Sequence, residues 1–284
     1  MTGLHLQRVS GAAVVGTEAL AANRATGRIG ITVGADGIRT RRLAVHESGS
    51  LRVRFPNAPQ DMLEAVLINT AGGMTGGDKF SIKISLSDGA RMLAGTAAAE
   101  KIYRSTGPDA TVALTIDAAA GSRCLWLPQE TILFDRARLS RRIDVNLAED
   151  ATLVVAEAVV FGRSAMGEAV HEGRLIDRWR VRRGERLLLA ESVRLDGAIE
   201  GKLKQSAVTA GAVAVATVLA VPGSEDMAAL GRTISGQFTG EVGISVWNGI
   251  AVARLCAPDG AALRHDLTLL LPTFGASLPR LWLQ

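Results

Sequence analysis

The chain has 284 residues, 48% hydrophobic and 21% charged, a size and composition that support a buried core without disulfides and exclude disordered, collagen-like and low-complexity classes. Its 32 basic and 28 acidic side chains give a modest net charge of +4, and six Phe, four Trp and one Tyr are too few for the stacking platforms of a single-strand binder. No nucleic-acid partner and no membrane partner is expected.

Residues 1–24 carry neither a basic start nor a long apolar stretch, so they read as a loose tail without an export signal, and residues 25–284 read as one domain of a cytoplasmic protein. Further on, Phe80, Ile82, Ile84 and Leu86 alternate with Ser81, Lys83, Ser85 and Ser87, the pattern of a half-buried strand. The same alternation returns at Val112, Leu114 and Ile116, and at Ile143, Val145 and Leu147, each run closed by a small or acidic turn. Leu86, Ile116 and Leu147 occupy equivalent places 30 and then 31 residues apart, and a rougher fourth copy centres on Val181. A period near 30 predicts stacked β layers, each hiding its apolar face against the next. The expected fold is therefore mainly β, a layered, solenoid-like wrap of many strands.

The densest basic run, Arg174 to Arg186, alternates Arg with Leu, Trp and Val, as on the wet face of a strand or a protein-contact surface. Val208 to Val221, the longest apolar stretch, is 14 residues long and too short to span a bilayer. Two helices are predicted near the C-terminus. One, near 223–235, is capped by Ser224 and puts Met227, Leu230 and Ile234 on one face; the other, near 259–271, starts after Asp259, aligns Leu263, Leu267, Leu270 and Leu271, and stops at Pro272. Cys124 and Cys256, the two cysteines, lie far apart in apolar surroundings and read as small core residues in a reducing compartment.

The segment TAGGMTGGDKF has the GxxxxG spacing of a phosphate loop at Gly72 and Gly77. Asp78, Lys79 and Phe80 stand where such a loop needs Lys and a hydroxyl, and a carboxylate there repels phosphate. Gly72, Gly73, Gly76 and Gly77 instead suit a backbone that turns with positive φ or closely approaches another segment. The sequence contains no GxSxG, HxH, HExxH or CxxC, and its four His residues lie in unrelated contexts, so neither a catalytic triad nor a closed zinc site is expected.

Carboxylates embedded in apolar strands are the informative feature: Glu130 in LPQETILF, Glu157 in VVAEAVVF and Glu191 in LLLAESV, with Glu100 and Asp78 beside small residues. Removing a carboxylate from water costs several kcal/mol unless it is paired, hydrogen-bonded or wetted. Pairing with Arg is one explanation. A water-filled passage through the β body is another, in which oxygen ligands hold a late first-row cation such as nickel loosely enough to let it move on. A carboxylate pair serving a β-helical carbohydrate-active enzyme is a third, opposed by the scarcity of aromatic sugar platforms and the dispersal of the acids.

The motifs NTAGGMTGGDKF, KIYRSTGP, LWLPQETILFDRARLSR, FGRSAMGE, LLLAESVRLDG and the terminal LPRLWLQ together resemble the urease accessory protein UreD family, called UreH in some organisms. The likeness is close over residues 25–200 and in the last segment, and more general over 201–275. It implies a non-enzymatic maturation factor that binds the urease apoprotein, recruits UreF directly and UreG through it, and binds no cofactor tightly. It also implies a mainly β fold with helices near the C-terminus, and transient passage of Ni2+. Matched to the motifs, Asp78 ends the GGD element, Glu157 precedes FGR and Glu191 precedes VRLDG, which makes these three the leading passage candidates. Glu100 joins them less securely, since the family more often has a small or hydroxyl residue there. Tyr103 and Arg104 are expected to brace the Gly-rich turn through a buried hydroxyl and a charge-assisted hydrogen bond. The two late helices and LPRLWLQ are the expected docking elements for UreF, and a pure adaptor without metal passage is the competing reading.

Overall fold

A computed structural model describes residues 24–56, 62–163 and 166–283, so the loose tail expected over 1–24 lies, apart from Arg24, outside the described residues. The chain enters as an antiparallel pair, β1 (Thr26–Asp36) and β2 (Arg39–Gly49), and crosses to a second sheet through β3 (Leu51–Arg54) and β4 (Leu63–Asn69). It then winds between the two sheets through β5 (Lys79–Leu86), β6 (Arg91–Thr96), β7 (Glu100–Ile102), β8 (Ala110–Ala118), β9 (Arg123–Trp126), β10 (Thr131–Leu133), β11 (Arg138–Leu147) and β12 (Thr152–Phe161). The first sheet is completed by β13 (Glu172–Arg183) and β14 (Arg186–Ala198), and the second by β15 (Ala214–Val221), β16 (Glu241–Trp247) and β17 (Ile250–Ala257). The seven-stranded sheet runs β14-β13-β11-β8-β5-β1-β2; the ten-stranded one runs β16-β17-β15-β12-β9-β6-β4-β3, with β10 and β7 attached beside β12.

Parallel pairing of β5, β8, β11 and β13 is the solenoid signature that the period near 30 predicts. Ile84, Ile116, Val145 and Val181 stand side by side in it, all fully buried. The expected column differs from this one: Leu86 lies beside Ala118, which in turn lies beside Leu147, so Ile116 belongs one step earlier. Side chains alternate with a period of two, so a slip of two residues leaves every residue on its own face and the alternation cannot detect it.

Around β12 the ten-stranded sheet is covered on both sides. On β12, Leu153, Val155, Val159 and Phe161 face the other sheet, while Val154, Ala156, Ala158 and Val160 face a helix layer. Burial on both faces explains why this strand reads as an almost unbroken apolar run.

Three helices are present among the described residues: α1 (Ile199–Leu203), which was not expected, α2 (Glu225–Thr233) and α3 (Gly260–Thr273). Ser224 caps α2, its hydroxyl accepting the Met227 N–H at 3.3 Å, but the buried stripe is Ala228 and Gly231, and Leu230 is 52% exposed. The helix turns Gly231 inward because it lies so close to Ile244 that a Cβ there would collide with the isoleucine. Asp259 caps α3, and Leu263, Leu267, Leu270 and Leu271 are buried as the spacing predicts. Pro272 does not stop the helix but sits in its last turn. The stop is Gly275 at φ 75°, where Gly275 N–H bonds to Pro272 O and Ala276 N–H to Leu271 O, closing the end.

Candidate functional site

Strand alternation on β11 points Leu139, Arg141, Ile143 and Val145 into the space between the sheets, and on β13 it points Leu175, Asp177, Trp179 and Val181 there. Glu157 meets them from β12. Arg141 is 5%, Glu157 6% and Asp177 8% exposed, so three charges share one buried point. The Arg141 guanidinium grips Asp177 with two prongs, Nε to Oδ1 at 3.0 Å and Nη2 to Oδ2 at 2.5 Å, and its Nη1 donates to Glu157 Oε2. Trp126 Nε1 donates to the other Glu157 oxygen at 2.7 Å.

Burial works against the charge on Arg141, but Asp177 and then Glu157 more than offset it and raise its pKa. Burial likewise pushes the Glu157 carboxyl up; Arg141 pulls it back, Asp177 pushes it further up and the Trp126 N–H lowers it, leaving it above the usual carboxylate range. With both acids ionised the group carries one net negative charge, an expensive thing to bury.

Two cavities flank this group. One, of about 460 Å3, reaches toward β14, β16 and β17 and is lined by Asp177, Thr217, Glu241, Arg254 and Cys256 among apolar residues such as Val193 and Leu195. The other, of about 200 Å3, extends toward Gly72, Gly73, Asn69 and Glu100. Among the described residues, Arg141 and Glu157 alone line both.

The other predicted residues are spread along the same body. Glu100 lines the smaller cavity and accepts a 2.9 Å hydrogen bond from Asn69 Nδ2. Its pKa is pushed up to about 6, chiefly by burial, with Asn69 and the Lys101 N–H opposing and the Asp78 charge adding to the rise. Asp78 is buried but lines neither cavity; its Oδ1 accepts the Ala25 N–H at 2.8 Å and its Oδ2 the Thr75 N–H at 2.7 Å, which fixes the Gly-rich turn to β1. Glu191 takes a 2.6 Å hydrogen bond from Arg254 Nη2, joining β14 of one sheet to β17 of the other. Glu130 sits outside the inter-sheet space, paired at 2.5 Å with Arg264 of α3. Among the described residues, no three His, Cys, Asp or Glu side chains converge on one point.

In the glycine turn, Gly72, Gly73 and Gly77 have positive φ, and Gly76 lies where a Cβ would strike Ser105 and Pro108 O. Tyr103 braces the turn with a 3.0 Å hydrogen bond from its hydroxyl to Gly72 O, and its ring occupies the space a Gly73 side chain would need. That hydroxyl is not buried as expected, since Tyr103 is 37% exposed, and Arg104 contributes its carbonyl, which accepts from Thr75 Oγ1 at 3.0 Å, in place of a guanidinium bond. Cys124 is the core residue predicted, its thiol pushed up to about 12 by burial. Cys256 is only half-buried and faces the larger cavity.

Arg141, Asp177 and Glu241 went unpredicted. Parity carried a usable signal for the first two: Leu139 and Ile143 flank Arg141 at inward spacing, as Leu175 and Trp179 flank Asp177. The basic run around Asp177 masks it, because its neighbours Arg178 and Arg180 do face solvent.

Fold and interior together define a layered β protein with a charged cavity system between its sheets. A family model described as "UreD urease accessory protein" matches residues 25–283 and so includes 201–275, where the motifs were least specific. The urease accessory protein UreD of Rhodopseudomonas palustris is 53% identical over 268 residues, 94% of this chain and 96% of the relative. That of Bradyrhizobium diazoefficiens is 54% identical over 263 residues, 92% of this chain and 95% of the relative. The chain belongs to the UreD family of urease accessory proteins, which assigns it a role in urease maturation.

Proposed function

We propose that this protein acts as a non-catalytic scaffold in the cytoplasm. It binds apo-urease, recruits UreF and through it UreG, and passes nickel toward the urease active site through the space between its sheets. The observation that carries the reading is the pair of cavities flanking Arg141 and Glu157, with Glu100 along one and Asp177 and Glu241 along the other. Oxygen ligands scattered in this way hold a nickel ion weakly, which suits transit and not storage. Asp78, with both oxygens tied to backbone N–H groups, braces the Gly-rich turn beside the smaller cavity and lines neither cavity. Exposed Leu230 on α2 and Leu283 near the C-terminus support a contact surface for UreF at this end of the chain.

The test is urease activity in nickel-fed cells that carry the urease structural genes and the remaining accessory genes. Omitting the chain is expected to abolish activation, and undiminished activity would overturn the maturation role. Asp78→Ala, Glu100→Ala, Glu157→Ala and Glu191→Ala then separate conduit from adaptor. Assembly retained with activation lost supports passage, and full activation by all four leaves a pure adaptor.

A further inference from the structure

We infer that Arg141 is a gate: it stands as the protein's own cation between Glu157 and Asp177, at the one junction of the two cavities, and a divalent cation crosses by displacing it. The inference rests on the passage reading above and adds its control point.

Three observations lead to it. Among the described residues, Arg141 and Glu157 are the only ones lining both cavities, so the route from one to the other runs past their ion pair. The acids also outnumber the cation in the closed state: one guanidinium faces two carboxyl groups that are at most 8% exposed, so the group is one charge short whenever Glu157 is ionised. A divalent cation in its place balances both acids while the displaced guanidinium turns into the larger cavity, whose lining includes the Glu241 carboxylate; a monovalent cation leaves the two acids one charge short. Displacement therefore favours the doubly charged species, because an uncompensated buried charge is costly. Finally, close-packed cores rarely leave a long side chain anywhere to move, yet here cavities of about 460 and 200 Å3 adjoin the guanidinium. The bidentate grip on Asp177 keeps the gate shut at rest, and the single contact to Glu157 is the weaker side.

Two variants test the gate in nickel-fed cells, with co-purification of UreF and urease as the control for assembly. Arg141→Lys keeps the charge but loses the two-pronged hold. It is expected to lower the nickel concentration for half-maximal urease activation at least threefold, a gain that a purely structural arginine does not give. An unchanged or raised requirement in the assembled variant overturns the gate. The triple replacement Arg141→Met, Glu157→Leu and Asp177→Leu fills the junction with apolar side chains, a type of exchange that buried ion clusters tolerate. It is expected to assemble normally and to cut activation at least tenfold; activation within twofold of the parent overturns the gate. Should one of these variants be insoluble, the other decides by its own limits. Ala98→Trp and Val208→Trp narrow the two cavities away from the junction. If they block activation while the triple replacement does not, the gate fails and passage stands; if none of these variants matters, passage fails as well.

Discussion

The two faces of the ten-stranded sheet are built for different ends. Toward α3, Ala156, Ala158, Ala216, Ala253 and Ala257 present small side chains that let Leu263, Leu267, Leu270 and Leu271 pack closely. The fully buried acid of that helix, Asp266, has both oxygens satisfied, by the Thr239 and Gly240 N–H groups at 2.8 Å each. Toward the other sheet the same strands carry Glu157 and Arg254 and leave two cavities. Glu157 and its neighbours Ala156 and Ala158 are adjacent in sequence but belong to opposite faces. The helix face is filled by close apolar packing, whereas the inter-sheet face keeps buried charge and open space.

Single substitutions sharpen the contrast. Arg141→Met, which leaves Glu157 and Asp177 buried without their cation, is expected to cost about 3–5 kcal/mol in urea unfolding, whereas the apolar triple replacement matches or exceeds the parent. If the single variant is as stable as the triple one, the buried charges are not what distinguishes this face. On the helix side, Leu270→Ala removes a side chain with no exposure and should cost about 2–5 kcal/mol, and here no companion substitution restores it.

The pH dependence of stability supplies a third measurement. The Glu100 carboxyl is raised to about 6 from 4.5, so the folded state holds its proton longer than the unfolded state does. Its contribution is present in full below pH 4.5 and is lost as the pH rises through about 6. Glu100→Gln is expected to remove that slope and to add on the order of 1 kcal/mol at pH 7, discounted for the partial exposure of the group. An identical profile for parent and variant across this range would dismiss the effect. Least costly is Ser224→Ala at the exposed α2 cap, about 0.5–1 kcal/mol by the same unfolding measurement.

Much of the layered fold is legible in the alternation of Phe80 to Ser87 and its two echoes, since a half-buried strand must expose every second residue. What escapes is register, because Leu86 and Ile84 share a face and either satisfies the pattern beside Ile116. The acids in apolar strands are legible as an anomaly, but their partners are not. Arg141 reaches Glu157 across the sheets and Asp177 within its own, and sequence distance reports neither contact. The buried face of α2 escapes the sequence for a related reason: hydrophobicity favours Leu230, while the space beneath the helix admits only Gly231.

The parallel column of Ile84, Ile116, Val145 and Val181 also bears on how the chain comes to be folded. Each of these strands finds its neighbour only after the intervening crossing of the other sheet has been made, so pairing is non-local and intrinsically slow. During synthesis, every finished coil presents an unpaired strand edge until the next one arrives. The last edges close with β14 on one sheet and with β16 and β17, late in the chain, on the other. A nascent chain that stalls before Glu241 thus displays an open β15 edge and an apolar face awaiting α3, the form in which such a protein is most exposed to aggregation.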